Sequence, residues 1–365
     1  MNYIWENIGG FFWCWLAINF SCGLGFFFLF KKCQKRRWLK LKIVIFNGLL
    51  LIVLLNSLFF AAEAYFRFIF DYSDTIGDLK TNQRWLARHV VTNLDHFRDR
   101  DFKTTKEKNV KRLAVLGDSF AYGWGVDVNQ RFSNLLEEKL NQAQKSSENE
   151  TAAERFKYEV YNTAVPGWES KDELEFLKTR AGLFKFDTVI LSYFLNDIYH
   201  DRAFDLDFMD KRFKQIREIP LLKPLLARSF FLEFITVHFL NFFNDAAKDI
   251  SQRELRLYRD ERSWQNHQQT LKAIIEECRR QNQQLLVIIF PYLHLVNQQP
   301  YPAAFVHQKL TEFFNQEQTE VIDLYPVLKH YPVNRLRANP YDMHPSALVH
   351  QVAAELLYER LKTLK

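Results

Sequence analysis

Four short polar clusters in this chain hold the residue types of acyl-transfer chemistry. Gly117-Asp118-Ser119-Phe120 ends one apolar run, and Asn162-Thr163-Ala164-Val165-Pro166-Gly167 closes a second. Asn196-Asp197 follows a third, and Asp342-Met343-His344-Pro345 precedes a C-terminal amphipathic stretch. A serine hydroxyl is a poor nucleophile until a base takes its proton. Imidazole, with an ordinary pKa of ~6.5, is the matching base at neutral pH. A carboxylate behind it fixes the tautomer and stabilises the imidazolium. The tetrahedral oxyanion needs preorganised donors, and losing one costs ~3 kcal/mol. Ser119, His344 and Asp342 could form the relay. The Ser119 and Gly167 backbone amides and the Asn196 side chain could form the oxyanion hole. Each cluster alone is commoner as punctuation: a helix cap, a turn, a loop start. Their combination is what points to chemistry.

The elements that must position these residues follow from the apolar pattern. Residues 111–116, 158–165, 187–194, 285–290 and 320–324 are short apolar runs without polar alternation. They read as buried strands. Helical stretches over 131–144, 169–183, 263–281, 301–315 and 346–364 separate them. Strands and helices in alternation predict an α/β sandwich with about five parallel strands. In such sheets ligands bind beyond the carboxyl ends of the strands, which is where all four clusters fall. Residues 71–109 read as a charged connector. Residues 199–262 read as a helical insert whose very apolar part, 219–243, either packs on the domain or forms a lid or membrane-contacting surface over or beside the strand edge that carries Ser119.

Taken together, the blocks GDSFAYGWGV, NTAVPG, LND and DMHPS resemble the SGNH/GDSL hydrolase superfamily, over roughly Lys111 to Lys365. The resemblance implies a flavodoxin-like three-layer α/β/α fold, with no metal or organic cofactor. It implies Ser119 as nucleophile, His344 as base with Asp342 as partner, and Ser119, Gly167 and Asn196 as oxyanion donors. Relatives often separate the Asp and His by three residues; here the gap is two, and Asp323 stands as a reserve carboxylate. The piece Asn93–Asp99 resembles a segment that precedes this domain in membrane-anchored relatives, where Gly is usual at the position of His96. The G-x-S-x-G elbow of a different hydrolase fold is excluded, because Ala121 stands where its second Gly belongs. Gly123 and Gly125 lack the third glycine of a dinucleotide loop. His200, Asp201 and Asp205 read as a solvated loop start rather than a metal site.

At the N-terminus, residues 7–30 and 43–62 contain no charged side chain. Each run is long enough to cross ~30 Å of hydrocarbon as a helix. Between them, Lys31, Lys32, Lys35, Arg36, Arg37, Lys40 and Lys42 form a basic loop. Those seven charges exceed the +6 net charge of the whole 365-residue chain, so the remainder is near neutral. A nucleic-acid partner is therefore not indicated. Lys and Arg stay on the cytoplasmic side. Residues 1–70 thus predict a two-helix transmembrane hairpin in the inner membrane, spans about 8–30 and 43–62. Both termini and residues 110–365 would lie on the non-cytoplasmic side. Four cysteines, three of them in or beside the apolar runs, do not make a disulfide framework.

The expected function is a membrane-tethered serine esterase acting on an O-acyl or O-acetyl group of an envelope glycan or lipid. Two alternatives stand beside it. One is an O-acyltransferase that modifies a cell-envelope polysaccharide. The other is a non-catalytic glycan- or lipid-binding scaffold, which would have no need of the serine, asparagine and histidine together. The expected partners are the acylated carbohydrate or lipid substrate and the bilayer.

Overall fold

A computed structural model describes residues 2–32, 39–146, 156–199, 218–220, 222–243 and 246–363. The chain forms two compact units. One comprises residues 1–71 and 217–237; the other comprises residues 72–216 and 238–365.

The larger unit is built on a sheet of five parallel strands: β1 (Val110–Gly117), β2 (Lys157–Asn162), β3 (Thr188–Phe194), β4 (Gln284–Phe290) and β5 (Glu320–Asp323). Their order across the sheet is β2-β1-β3-β4-β5, that of flavodoxin-like doubly wound sheets. Alternate residues of each strand feed opposite cores. Ala114, Leu116, Val189, Leu191, Val287 and Ile289 pack with the helices Ser170–Phe176, Glu261–Arg280 and Ala304–Gln316. Leu113, Val115, Ile190, Leu286 and Ile288 pack with Phe132–Ser146 and Ala347–Thr363. Both faces are thus covered, which is why these strands read as unbroken apolar runs. Strand β1 is an inner strand, so the loop after it opens between its neighbours β2 and β3.

A small antiparallel hairpin follows, β6 (Arg337–Asn339) and β7 (Asp342–Pro345). It did not register in the sequence pattern, being short and polar. The residues read as a connector belong to this unit from Tyr72 onward. Within them His96 adopts a left-handed backbone, φ 68°, the conformation that glycine takes most readily.

In the smaller unit, helices Asn2–Lys32 and Leu39–Ala64 pair antiparallel. The Trp15 ring meets Phe60 at 5.1 Å and Phe26 meets Phe46 at 5.0 Å. Helix Leu39–Ala64 runs on through a π-helical turn, Tyr65–Ile69. Among the described residues one helix, Lys40–Ile69, is long and apolar enough to cross a bilayer. The first helix contributes only a shorter apolar stretch, Trp15–Phe28. Of the expected hairpin, the described residues support one span, Lys40–Ile69. Residues 33–38 of the basic loop lie outside the described residues, as do His200, Asp201 and Asp205 of the insert. Among its described residues the insert is helical over Lys223–Arg228, Phe230–Phe243 and Ala246–Arg259.

Candidate active site

Strand β1 ends at Gly117, where the chain turns sharply into the short helix Ser119–Tyr122. Gly117 has φ +151°, and an added Cβ would lie 2.9 Å from the Ser192 carbonyl oxygen of β3. Only glycine fits there. Asp118 caps the helix, its side chain accepting from the Phe120 amide at 2.8 Å. Ser119 is therefore the first helical residue. Its own amide has no hydrogen-bond partner among the described residues, as expected at a helix N-terminus.

The β6–β7 hairpin brings His344 to this turn. The Ser119 hydroxyl lies 2.9 Å from His344 Nε2, and His344 Nδ1 lies 2.6 Å from Asp342 Oδ1. A carboxylate only accepts, so Nδ1 carries the proton and Nε2 is left to accept from the serine. The backbone explains the two-residue gap. The His344 amide also donates to Asp342 Oδ1, at 3.1 Å, closing a local turn that presents the ring to its own i−2 carboxylate. Asp323, the reserve, is elsewhere: it accepts from the His307 ring at 2.8 Å and from the Tyr325 amide at 2.9 Å.

Burial pulls the His344 imidazole down, but the charge and hydrogen bond of Asp342, with Asp118 and Asp74 farther off, outweigh it. Its pKa stands above the ordinary value. Asp342 is buried, which raises its carboxyl. The charge of His344 and the bonds from His344 and Ser73 reverse that, and it stands below the usual carboxylate value.

The candidate oxyanion donors sit on the loops after three adjacent strands. Gly167, φ +80°, has open space around it, and its amide is without a hydrogen-bond partner among the described residues. Its loop is held to the end of β1 by the Val165 amide donating to the Gly117 carbonyl at 3.1 Å. Asn196 spends one side-chain N–H on Asp118 Oδ2, at 3.2 Å, which leaves its second N–H. Asn162 ties the same edge together, donating to the Ala121 carbonyl at 2.7 Å and to Ser133 Oγ at 3.0 Å.

Several residues near the relay escaped sequence reasoning. Ser73 donates to Asp342 Oδ2 and accepts from Asn339 Nδ2 at 3.0 Å. Thr75 Oγ1 accepts from the Met343 amide at 2.8 Å. The connector is thus a strap along the hairpin that carries the histidine. Gly125, φ +84°, lies under it; a Cβ there would fall 2.8 Å from both Asp342 Oδ2 and Ser73 Oγ. Arg98, fully buried, donates to the carbonyls of Gly123 at 2.6 Å and Val126 at 2.9 Å. The loop behind the nucleophile is thereby fastened from the connector. The one available signal was the resemblance of Asn93–Asp99 to segments that precede this domain.

Of the aromatics near Ser119, Phe120 and Tyr122 are buried, and Trp168 packs on Phe97 and Phe176. Trp124 is different: half-buried, it faces the His344 ring at 5.6 Å and donates to the Asp74 carbonyl at 3.2 Å. Under the site lie buried carboxyls. Burial pushes Asp118 up, against its bonds from the Phe120 amide and Asn196. Glu173 and Asp197 stand well above the usual range through burial and the neighbouring acids.

A model described as the GDSL-like lipase/acylhydrolase family matches residues 115–352. No curated protein matches the chain. Among solved structures it is similar to TesA, at 17% identity and TM-score 0.42, covering 70% of this chain and 100% of that one. It is similar also to the acetyl xylan esterase AlAXEase, at 13% and 0.41, covering 68% and 99%. A third is the psychrotrophic esterase EstA from Pseudoalteromonas sp., at 12% and 0.40, covering 70% and 98%.

Proposed function

The chain belongs to the GDSL-like lipase/acylhydrolase family and is a hydrolase acting on ester bonds, and from that premise we propose a membrane-tethered serine esterase that removes an O-acyl group from an envelope glycan or lipid. The observation that carries the reading is the unbroken relay from Asp342 through His344 to Ser119, at 2.6 and 2.9 Å. His344 Nε2 takes the hydroxyl proton as Ser119 Oγ attacks the ester carbonyl. Asp342 stabilises the imidazolium that forms. The Ser119 and Gly167 amides and the free N–H of Asn196 receive the oxyanion. Collapse expels the alcohol, which takes the proton from His344. Water, activated by the same ring, then releases the acid and regenerates Ser119. Transfer to a sugar hydroxyl shares the first half-reaction and differs only in the acceptor.

The tether in this reading is the apolar helix Lys40–Ile69. The basic cluster 31–42 on its N-terminal flank favours retention on the cytoplasmic side, which directs the catalytic unit to the opposite side. A serine-directed fluorophosphonate tests the chemistry. The full chain should be labelled and the Ser119→Ala variant should not. Failure to label the folded wild type would end the esterase reading. An enzymatic reporter fused after Lys365, active only in the cytoplasm, would end the compartment reading alone.

A further inference from the structure

The smaller unit contains a buried carboxylate clamp that nothing in the catalytic scheme uses. Glu63, near the end of the apolar helix, has no solvent exposure. It accepts from Arg67 Nε at 3.0 Å and Nη2 at 2.8 Å. It also accepts from Ser229 Oγ at 2.7 Å and from the Phe230 and Phe231 amides at 3.0 and 2.9 Å. The last three groups are the N-terminus of helix Phe230–Phe243, whose first amides lack helical partners and favour an anion. Arg67 closes the clamp, donating to the Arg228 carbonyl at 2.5 Å with its guanidinium 4.9 Å from the Phe230 ring. Aromatic packing continues the join: Phe66 meets Phe231 at 5.6 Å and Phe234 at 4.6 Å, and Phe59 meets Phe231 at 6.0 Å. The apolar insert is thereby built onto the end of the candidate membrane span.

What the insert turns outward is apolar. Leu225 and Ile235 are 49% and 46% exposed, and Ile219 and Leu222 are exposed beside them. The helix's one acidic residue, Glu233, is buried and adds no charge to that face. At about 1.5 Å per residue its 14 residues reach about 21 Å, short of the ~30 Å hydrocarbon core. A segment this apolar, too short to cross and tied to a span, fits the boundary between headgroups and acyl chains. Arg228, exposed, flanks it where anionic headgroups would be met; Lys223, also exposed, is paired with Glu218 at 2.6 Å.

We infer that residues 219–237 are an interfacial membrane element, seated in one leaflet of an anionic phospholipid bilayer and locked to the helix Lys40–Ile69 by Glu63. The inference rests on the tether reading and adds a second, in-plane contact to it.

The test uses the full chain with its four cysteines replaced and single nitroxide labels at Leu54, Leu225 or Ile235. Each is reconstituted in vesicles of phosphatidylethanolamine and phosphatidylglycerol and checked by circular dichroism for retained fold. Collision with oxygen is compared with collision with a water-soluble nickel chelate. All three positions should favour oxygen, Leu54 more deeply than the other two. Leu54 in oxygen with Leu225 and Ile235 in nickel would overturn the interfacial element and leave the tether. Leu54 in nickel would overturn both. Labels at 225 and 235 shielded from both reagents, with spin–spin broadening, would assign the face to a second copy and overturn the lipid. Should either label unfold the chain, Leu222 replaces it, with the same outcomes. In the supported case Glu63→Gln should shift the Ile235 label toward nickel while Leu54 stays unchanged.

Discussion

Ser73 and Asp342, 269 positions apart in the chain, share a buried hydrogen bond in which the serine hydroxyl donates to Oδ2. The carboxylate thus divides its oxygens: Oδ1 serves the His344 ring and amide, and Oδ2 serves the connector. Asn339 holds Ser73 in turn, through both its hydroxyl and its carbonyl. A carboxylate fixed on both oxygens cannot rotate away from the imidazole.

Removing that restraint gives the first prediction. A hydrogen bond to a charged group is worth about 1.5–3 kcal/mol, so Ser73→Ala should lower kcat by roughly 10- to 100-fold. KM for a small ester such as p-nitrophenyl acetate should hardly move, because Ser73 acts through Asp342 and touches no substrate. Ser73→Thr, which keeps the hydroxyl, should recover part of the loss. A Ser73→Ala enzyme with unchanged kcat would reduce the bond to packing.

The second prediction concerns pH. Activity needs His344 neutral, and its pKa is raised above the ordinary ~6.5 by Asp342 despite burial. The kcat/KM profile should therefore fall on the acid side as a one-proton limb with its midpoint above that value. Asp342→Asn removes the charge that raises it. The residual activity of that variant should have its acid limb moved to lower pH. A limb that stays in place would mean that another group sets it.

Asn196 supplies the third. Its remaining N–H is the only side-chain donor proposed for the oxyanion, and losing such a donor typically costs about 10²–10³ in kcat. Asn196→Ala should show that loss with little change in KM. Asp118→Asn keeps the shape but weakens the bond that orients Asn196, so its loss should be smaller. Equal losses would make Asp118, not Asn196, the element that matters.

The sheet was legible because both of its faces are covered: runs such as LLVIIF in β4 have no polar partner to alternate with. The site clusters were legible because strand ends concentrate glycine and polar residues in short blocks. The hairpin β6–β7 was not, since three- and four-residue polar strands carry no period. The role of Ser73 was hidden for a different reason. Ser-Asp-Thr in a charged stretch is indistinguishable from a turn until the fold brings it against residues 269 positions away. The clamp at Glu63 lay in the same blind spot, a lone acid just past an apolar run.

The last prediction turns on Glu173, which is fully buried, with both carboxyl oxygens lacking a hydrogen-bond partner among the described residues. An unpartnered charge in such a place is costly. Burial first, then the nearby Asp118 and Asp172, push its pKa well above the usual value, so the folded chain holds the proton to higher pH than the unfolded one. The unfolded chain releases it near ~4.3. The sign follows: the stability contributed by this group is full below the unfolded pKa and is lost as pH rises through the folded one. Glu173→Gln retains the shape and removes the titration. Its unfolding midpoint in urea should match the wild type well below ~4.3, where both side chains are neutral in the folded and unfolded chains. It should exceed the wild type increasingly as pH rises, and its profile should be flatter. A variant whose stability runs parallel to the wild type over that range would show that Glu173 is ionised in the fold and finds its compensation elsewhere.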